Sequence, residues 1–105
     1  AYSVYLLQKD DQNIGYLTIS RTDGIVLQSL YILSEYQRQG IGRAAFDFIK
    51  EYCRKHGAKS FTCRCVPENL NARAFYEKMG GEVIEADLGN EERWQNSVTY
   101  QFTLP

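Results

Sequence analysis

The chain has 105 residues, with 12 Lys and Arg against 13 Asp and Glu, a net charge of −1 and 44% hydrophobic content. That size and balance predict one small globular domain, residues 1–105, with a single core. They exclude a chain-wide field that would draw it to nucleic acid or a membrane surface, and no apolar run approaches the ~20 residues of a membrane-spanning helix. No signal peptide opens the sequence. It starts at Ala1 directly in a strand-like segment, which predicts a processed or excised piece.

Tyr2 to Leu7 mixes aromatic and aliphatic residues and predicts a strand. Asp10 to Asn13 is a turn cluster, Ile14 to Ser20 a second strand, and Asp23-Gly24 closes a hairpin. Ile25 to Leu33 is long and apolar on both faces, as a central strand is. Ile41, Ala44, Ala45, Phe48, Ile49, Tyr52, Cys53 and His56 follow helical spacing, and Gly57 is a natural stop. Ser60 to Val66 is a short strand ended by Pro67, with Phe61, Cys63 and Cys65 on one face. Asn69 is a good N-cap for a second helix, whose stripe Ala72, Phe75, Tyr76 and Met79 ends at Gly80-Gly81. Val83 to Ala86 is a strand and Asp87 to Gln95 a polar loop carrying Trp94. Val98, Tyr100, Phe102 and Leu104 alternate with polar residues in a half-buried final strand. The fold class is therefore α+β, in the order β-β-β-α-β-α-β-β. The third and fourth strands are parallel and the end hairpins antiparallel.

The three cysteines are Cys53, Cys63 and Cys65. An odd count without framework spacing predicts reduced thiols and a cytoplasmic location. A metal site would need Cys53 or His56 beside the Cys63 and Cys65 pair, and none of these has finger-like spacing. The expectation is buried thiols and no metal.

The segment from Ser34 to Ala44 carries the chemistry. Gly40 and Gly42 stand where a strand gives way to a helix, flanked by Arg38 and Arg43. Bare N–H groups at a helix N-terminus bind anions, because orphan donors and the helix dipole point the same way. Gly40-x-Gly42-x-x-Ala45 also fits the dinucleotide fingerprint, with Glu68 near the ribose-binding position. That fingerprint needs a tight turn straight from strand to glycine. Here Ser34 to Gln39 intervene and the chain opens with antiparallel strands, so a nicotinamide domain is set aside.

The run Leu30 to Gly42, with Gln37, Gly40 and Gly42 in place, resembles motif A of the GCN5-related N-acetyltransferase (GNAT) superfamily. Asn69-x-x-Ala72-x-x-x-Tyr76-Glu77-Lys78-x-Gly80 resembles that family's second signature helix. The resemblance runs from Tyr2 to the final strand. It implies a mixed sheet that binds acetyl-CoA between the third and fourth strands and moves an acetyl group to a primary amine. The backbone of Tyr31, Ile32 and Leu33 would pair with the pantetheine arm. Groups of Arg38, Gln39, Gly40, Ile41, Gly42 and Arg43, entered through Gln37, would cradle the pyrophosphate. Asn69 would contact the pantetheine, and Tyr76 would give a proton to the departing thiolate. The family often has Gly where Arg38 stands, which changes the freedom of the loop.

Two features qualify the catalytic expectation. Relatives often carry a glutamate base on the third strand, where Val26 stands here and Ile25 to Leu33 holds no carboxylate. Glu35 reads as a solvated loop charge, and His56 as a packed or dipole-facing residue far from the glycines. Relatives also have a first strand and two helices ahead of the strand that opens this chain. Either this chain is a trimmed piece, or another domain or subunit completes the site, or acceptor binding is lost; the exposed edge would favour a homodimer. The alternative is a non-catalytic domain of the same fold that binds CoA or a partner.

Overall fold

A computed structural model describes residues 2–105. Tyr2–Lys9 (β1), Gln12–Arg21 (β2) and Ile25–Ile32 (β3) form an antiparallel meander. The first turn is tighter than its composition suggests. Asp10 and Asp11 adopt φ of 52° and 64°, the left-handed pair that a two-residue hairpin requires and that Asp tolerates. The ladder therefore resumes at Gln12, ahead of the expected Ile14. Thr18 pairs with Ser29 and Ile19 with Leu27, so Gln28 is an extra residue that bulges out of β3.

Ile41–Lys55 (α1) crosses to Ser60–Cys65 (β4), which lies parallel to β3. Leu70–Lys78 (α2), Glu82–Asp87 (β5) and Ser97–Thr103 (β6) complete the chain, with single 3₁₀ turns at Ser34–Tyr36 and Arg93–Gln95. The sheet order is β1-β2-β3-β4-β6-β5. The final strand keeps the expected alternation, with Val98, Tyr100 and Phe102 buried and Gln101 and Thr103 more open, although Thr99 is buried as well. β6 inserts between β4 and β5, so both its edges are paired.

Both helices lie on one face of the sheet. The core joins Leu17, Ile19, Leu27, Phe61, Cys63, Tyr100 and Phe102 to Ala45, Phe46, Ile49 and Cys53 of α1. Phe46 has no exposed surface and sits 5.0 to 5.6 Å, centroid to centroid, from Phe61, Phe75 and Phe102. The apolar stripe expected on α1 had Phe48 in this place. Phe48 lies at the margin against Tyr5, 41% exposed, and His56 is fully on the surface. The seam is rotated toward Phe46 because α2 and Phe75 add a second apolar wall on that side.

The opposite face of the sheet is uncharged over three strands. Tyr2, Val4 and Leu6 stand beside Ser20, Thr18 and Tyr16, which stand beside Val26, Ser29 and Tyr31. Tyr2, Val4, Leu6, Tyr16 and Tyr31 are exposed there.

One polar cluster fixes α2 on the sheet. The fully buried Tyr100 hydroxyl accepts a bond from Arg73 Nε at 3.0 Å and donates to Glu77 Oε2 at 2.8 Å. Arg73 and Glu77 are one helical turn apart, so together they set the rotation of α2.

Phe46→Ala is expected to cost about 3–5 kcal/mol of unfolding free energy, read from urea denaturation. Phe48→Ala is expected to cost less than half of that. Equal losses would mean the core is not centred where the packing places it.

Candidate functional site

β3 and β4 pair only over Ile25–Leu27 and Phe61–Cys63. Beyond these residues the strands part. A cleft of about 660 Å³ opens in the gap, lined by Leu30 and Ile32, the Tyr36–Arg43 segment and one side of α2. That size suits a small-molecule ligand.

The segment after β3 is held by its own side chains. Gln37 Nε2 donates to Ile32 O at 2.9 Å, which satisfies a carbonyl left bare where the strands part. Gln39 Oε1 accepts from Lys9 Nζ at 2.9 Å, and its Nε2 donates to Glu35 O at 3.1 Å. The Tyr36 hydroxyl donates to Gln12 Oε1 at 3.2 Å. The chain then turns left-handed twice. Arg38 has φ of 65° and Gly40 of 80°. For Arg38 that conformation is costly, roughly 1–3 kcal/mol, and it is the conformation that a glycine at this position would adopt freely.

Gly40 caps α1 without a side-chain bond. The first helical bond runs from Ala44 N–H to Gly40 O at 3.0 Å, so the N–H groups of Ile41, Gly42 and Arg43 have no acceptor inside the helix. No acidic residue stands in the first turn of α1, and Arg43 does. A cation opposes the dipole there. The sequence thus leaves positive charge on a positive helix end, an arrangement that an anion resolves. The two glycines have separate reasons. Nothing lies within 4 Å of where a Gly40 side chain would begin, so Gly40 answers to its φ. A Cβ on Gly42 would come within 2.9 Å of Phe75 Cζ, so Gly42 admits the close packing of α1 against α2.

On α2, Asn69 is the N-cap. Its Oδ1 accepts from Ala72 N–H at 3.1 Å, which leaves the amide Nδ2–H groups for the cleft it lines. Tyr76 is half-buried, 5.6 Å from the ring of Tyr100, and its hydroxyl lies near the Cys63 thiol. Burial holds Tyr76 above the usual phenol range, with Cys63 and Cys65 adding to the effect. Burial also pushes the Cys63 thiol up to about 12, with Cys65 adding and Tyr76 opposing. Both groups are neutral at physiological pH.

The cleft gathers Ile32, Gln37, Arg38, Gly40, Gly42, Arg43, Asn69 and Tyr76 from the expected set. Tyr31 and Leu33 are a correction, because their backbone faces β2. Leu33 N–H donates to Ile14 O at 2.8 Å, and Tyr31 O lies against Gly15. Of those three residues only Ile32 turns toward the cleft, where Leu30 joins it. Gln39 and Ile41 line a separate cleft between α1 and β1. Asn71, Phe75 and Lys78 also line the site and were not anticipated. Their i, i+4, i+7 spacing on α2 was the available signal. His56 contacts Arg21, and its ring lies 4.4 Å from that of Tyr52 at an interplanar angle of 50°, at the far end of α1, and Glu35 is exposed on its turn. No carboxylate or imidazole lines the cleft. Among the described residues no three His, Cys, Asp or Glu side chains form a metal-binding group.

Residues 1–81 match the acetyltransferase (GNAT) family, a span that includes every element lining the cleft and ends before β5. The chain is 33% identical over 76 residues to the uncharacterized protein YxbD of Bacillus subtilis, covering 71% of this chain and 46% of that protein. It spans about half the length of the curated relatives it matches. Its fold is like that of the PaiA N-acetyltransferase of Thermoplasma acidophilum in complex with coenzyme A, at 18% identity and a TM-score of 0.84, over 97% of this chain and 60% of that one. It is also like that of a GNAT family acetyltransferase of Elizabethkingia anophelis with acetyl-CoA bound, at 15% identity and a TM-score of 0.80, over 96% of this chain and 75% of that one. With most of its length matched and the element order shared, the chain belongs to the acetyltransferase (GNAT) family.

Proposed function

We propose that residues 1–105 form one cytoplasmic domain that holds acetyl-CoA in the cleft between β3 and β4 and transfers its acetyl group to a primary amine. The observation that carries this reading is the N-terminus of α1. Three free N–H groups, Arg38 and Arg43 converge there with no carboxylate among them. A pyrophosphate fits that donor set, since it offers several acceptor oxygens and the negative charge that the helix end lacks.

In this reading the pyrophosphate rests on the N–H groups of Ile41, Gly42 and Arg43, with Arg38 and Arg43 closing over it. The pantetheine arm follows the unpaired edge of β3, where the Ile32 N–H faces it, and the Asn69 amide meets it from α2. Acetyl-CoA supplies a thioester, whose carbonyl carbon the amine nitrogen attacks as the C–S bond breaks. Tyr76 Oη gives its proton to the sulfur that leaves, the nitrogen sheds its surplus proton to water, and Tyr76 regains a proton from water. The Cys63 thiol marks how this pocket treats a thiolate: burial pushes that thiol up to about 12. Burial also holds Tyr76 in its neutral form, so it has a proton to give to a thiolate formed beside it.

A second reading is a CoA-binding domain without turnover. The lining of the cleft favours it, because no side chain there can take a proton from an ammonium ion. A lysine-type amine, with a pKa near 10.4, needs such a base, whereas an α-amine near 8 sheds its proton to water more readily.

Calorimetry is expected to show that Gly40→Glu abolishes CoA binding, since the new side chain strains φ and repels the pyrophosphate. Unchanged affinity would place the ligand elsewhere. Tyr76→Phe is expected to slow thiol release from acetyl-CoA about 10²-fold, with CoA affinity kept within about twofold. CoA binding by the unaltered protein without turnover over a broad panel of primary amines would establish the second reading. The raised thiol predicts the alkaline limit of stability. The folded state holds the Cys63 proton up to about 12 against 9.0 for an ordinary thiol. Its contribution is therefore complete below about pH 9 and is lost as pH rises toward 12. The urea midpoint should fall as pH is raised from 8 to 10.5, and less steeply in Cys63→Ala. Equal slopes would remove Cys63 from the account.

A further inference from the structure

The lining of the cleft contains three cations, Arg38, Arg43 and Lys78, and no acid, in a chain whose net charge is −1. The ion pairs among the described residues are Arg54–Glu51 and Arg93–Glu68, so none of the three cations has a carboxylate partner. Two of them, Arg38 and Arg43, flank the helix end that suits a pyrophosphate. Lys78 lines the cleft from a different element, α2.

Its place along α2 is fixed by a contact. The ring of Phe75 packs on Gly42 in the first turn of α1. Lys78 follows Phe75 by three residues, so it lies on the same side of the helix and about 4.5 Å further along the axis. Asn71, Phe75 and Lys78 form the cleft-facing row of α2. The row therefore passes the first turn of α1 and finishes in a single exposed cation, which has three donors and no ion-pair partner among the described residues.

We propose that Lys78 recognises a phosphomonoester carried one sugar away from the pyrophosphate, that is, the 3′-phosphate on the ribose of coenzyme A. This inference rests on the donor reading of the cleft and adds a determinant of donor specificity to it. CoA and 3′-dephospho-CoA share the pyrophosphate, the pantetheine and the thiol, and they differ by this one dianion. In this proposal Lys78 is assigned to that difference alone. A flexible point charge suits the task, because the ribose of a ligand held at its pyrophosphate keeps some freedom.

Calorimetry with CoA and with 3′-dephospho-CoA, on the unaltered chain and on Lys78→Ala and Lys78→Arg, tests the assignment. The unaltered chain is expected to bind CoA about tenfold more tightly, a difference of about 1.4 kcal/mol. Lys78→Ala should bring the ratio of the two dissociation constants close to one, and Lys78→Arg should restore it. A ratio near one in the unaltered chain overturns the proposal while leaving the donor reading intact. So does a preference that survives Lys78→Ala, or one that is lost instead in Arg43→Ala. Failure to bind either ligand removes the donor reading and this inference with it.

Discussion

The early parting of β3 and β4 is the constraint on which the rest of the structure depends. A parallel pair normally extends its ladder as far as both strands run. Here it stops after three residues on each strand. The strands beyond are left with backbone groups that face each other across a gap and must find partners elsewhere. Gln37 answers for one of them at Ile32 O. The remaining edge, open on one side and roofed by two helices on the other, is what makes a cleft where a continuous sheet would have had none. The bulge at Gln28 sits at the point of separation, and extra strand twist of that kind helps turn β3 away from its neighbour.

Above the gap, the N-terminus of α1 is locally unfavourable in several ways at once. Arg38 takes a glycine-like conformation, Gly40 supplies no capping side chain, and Arg43 stands against the dipole. Any one of these could be an accident of sequence. Their concentration within six residues, beside an otherwise well-formed core, is the pattern expected of a functional site, where local rules yield to chemistry. The neighbouring Gly42 is different in kind. It is required by Phe75, and it belongs to the packing that holds the roof together.

The parts legible in the sequence were those with local signals. Element order, the Asn69 cap, the glycine turn and the Cys63 and Cys65 face each rest on residues close together in the chain. The misreadings came from contacts made at long range. Phe46 and Phe48 both fit an apolar helix stripe, and only the arrival of Phe75 and Phe102 selects Phe46. The place of β6 inside the sheet has no local signal, because it depends on β5 pairing along its far side. Tyr31 and Leu33 are in the right segment, but which backbone groups face the gap depends on the register with β2, and that is set by pairings such as Gly15 with Ile32. Asn71, Phe75 and Lys78 share a helical row in the sequence, and the docking of α2 turns that row toward the cleft.

That docking depends on the last strand to join the sheet. Arg73 and Glu77 grip the buried hydroxyl of Tyr100 from the same face of α2. Tyr76 lies between them in sequence and is carried by the same turn. A helix free to roll would let the Tyr76 ring swing toward solvent. With its rotation fixed by these two bonds to a buried hydroxyl, the ring is kept against the core and the hydroxyl near Cys63. The strand that carries no cleft-lining residue thus determines where the proposed proton donor points. For that reason the chemistry of the site and the stability of the β4–β6 pair are expressions of one arrangement rather than two.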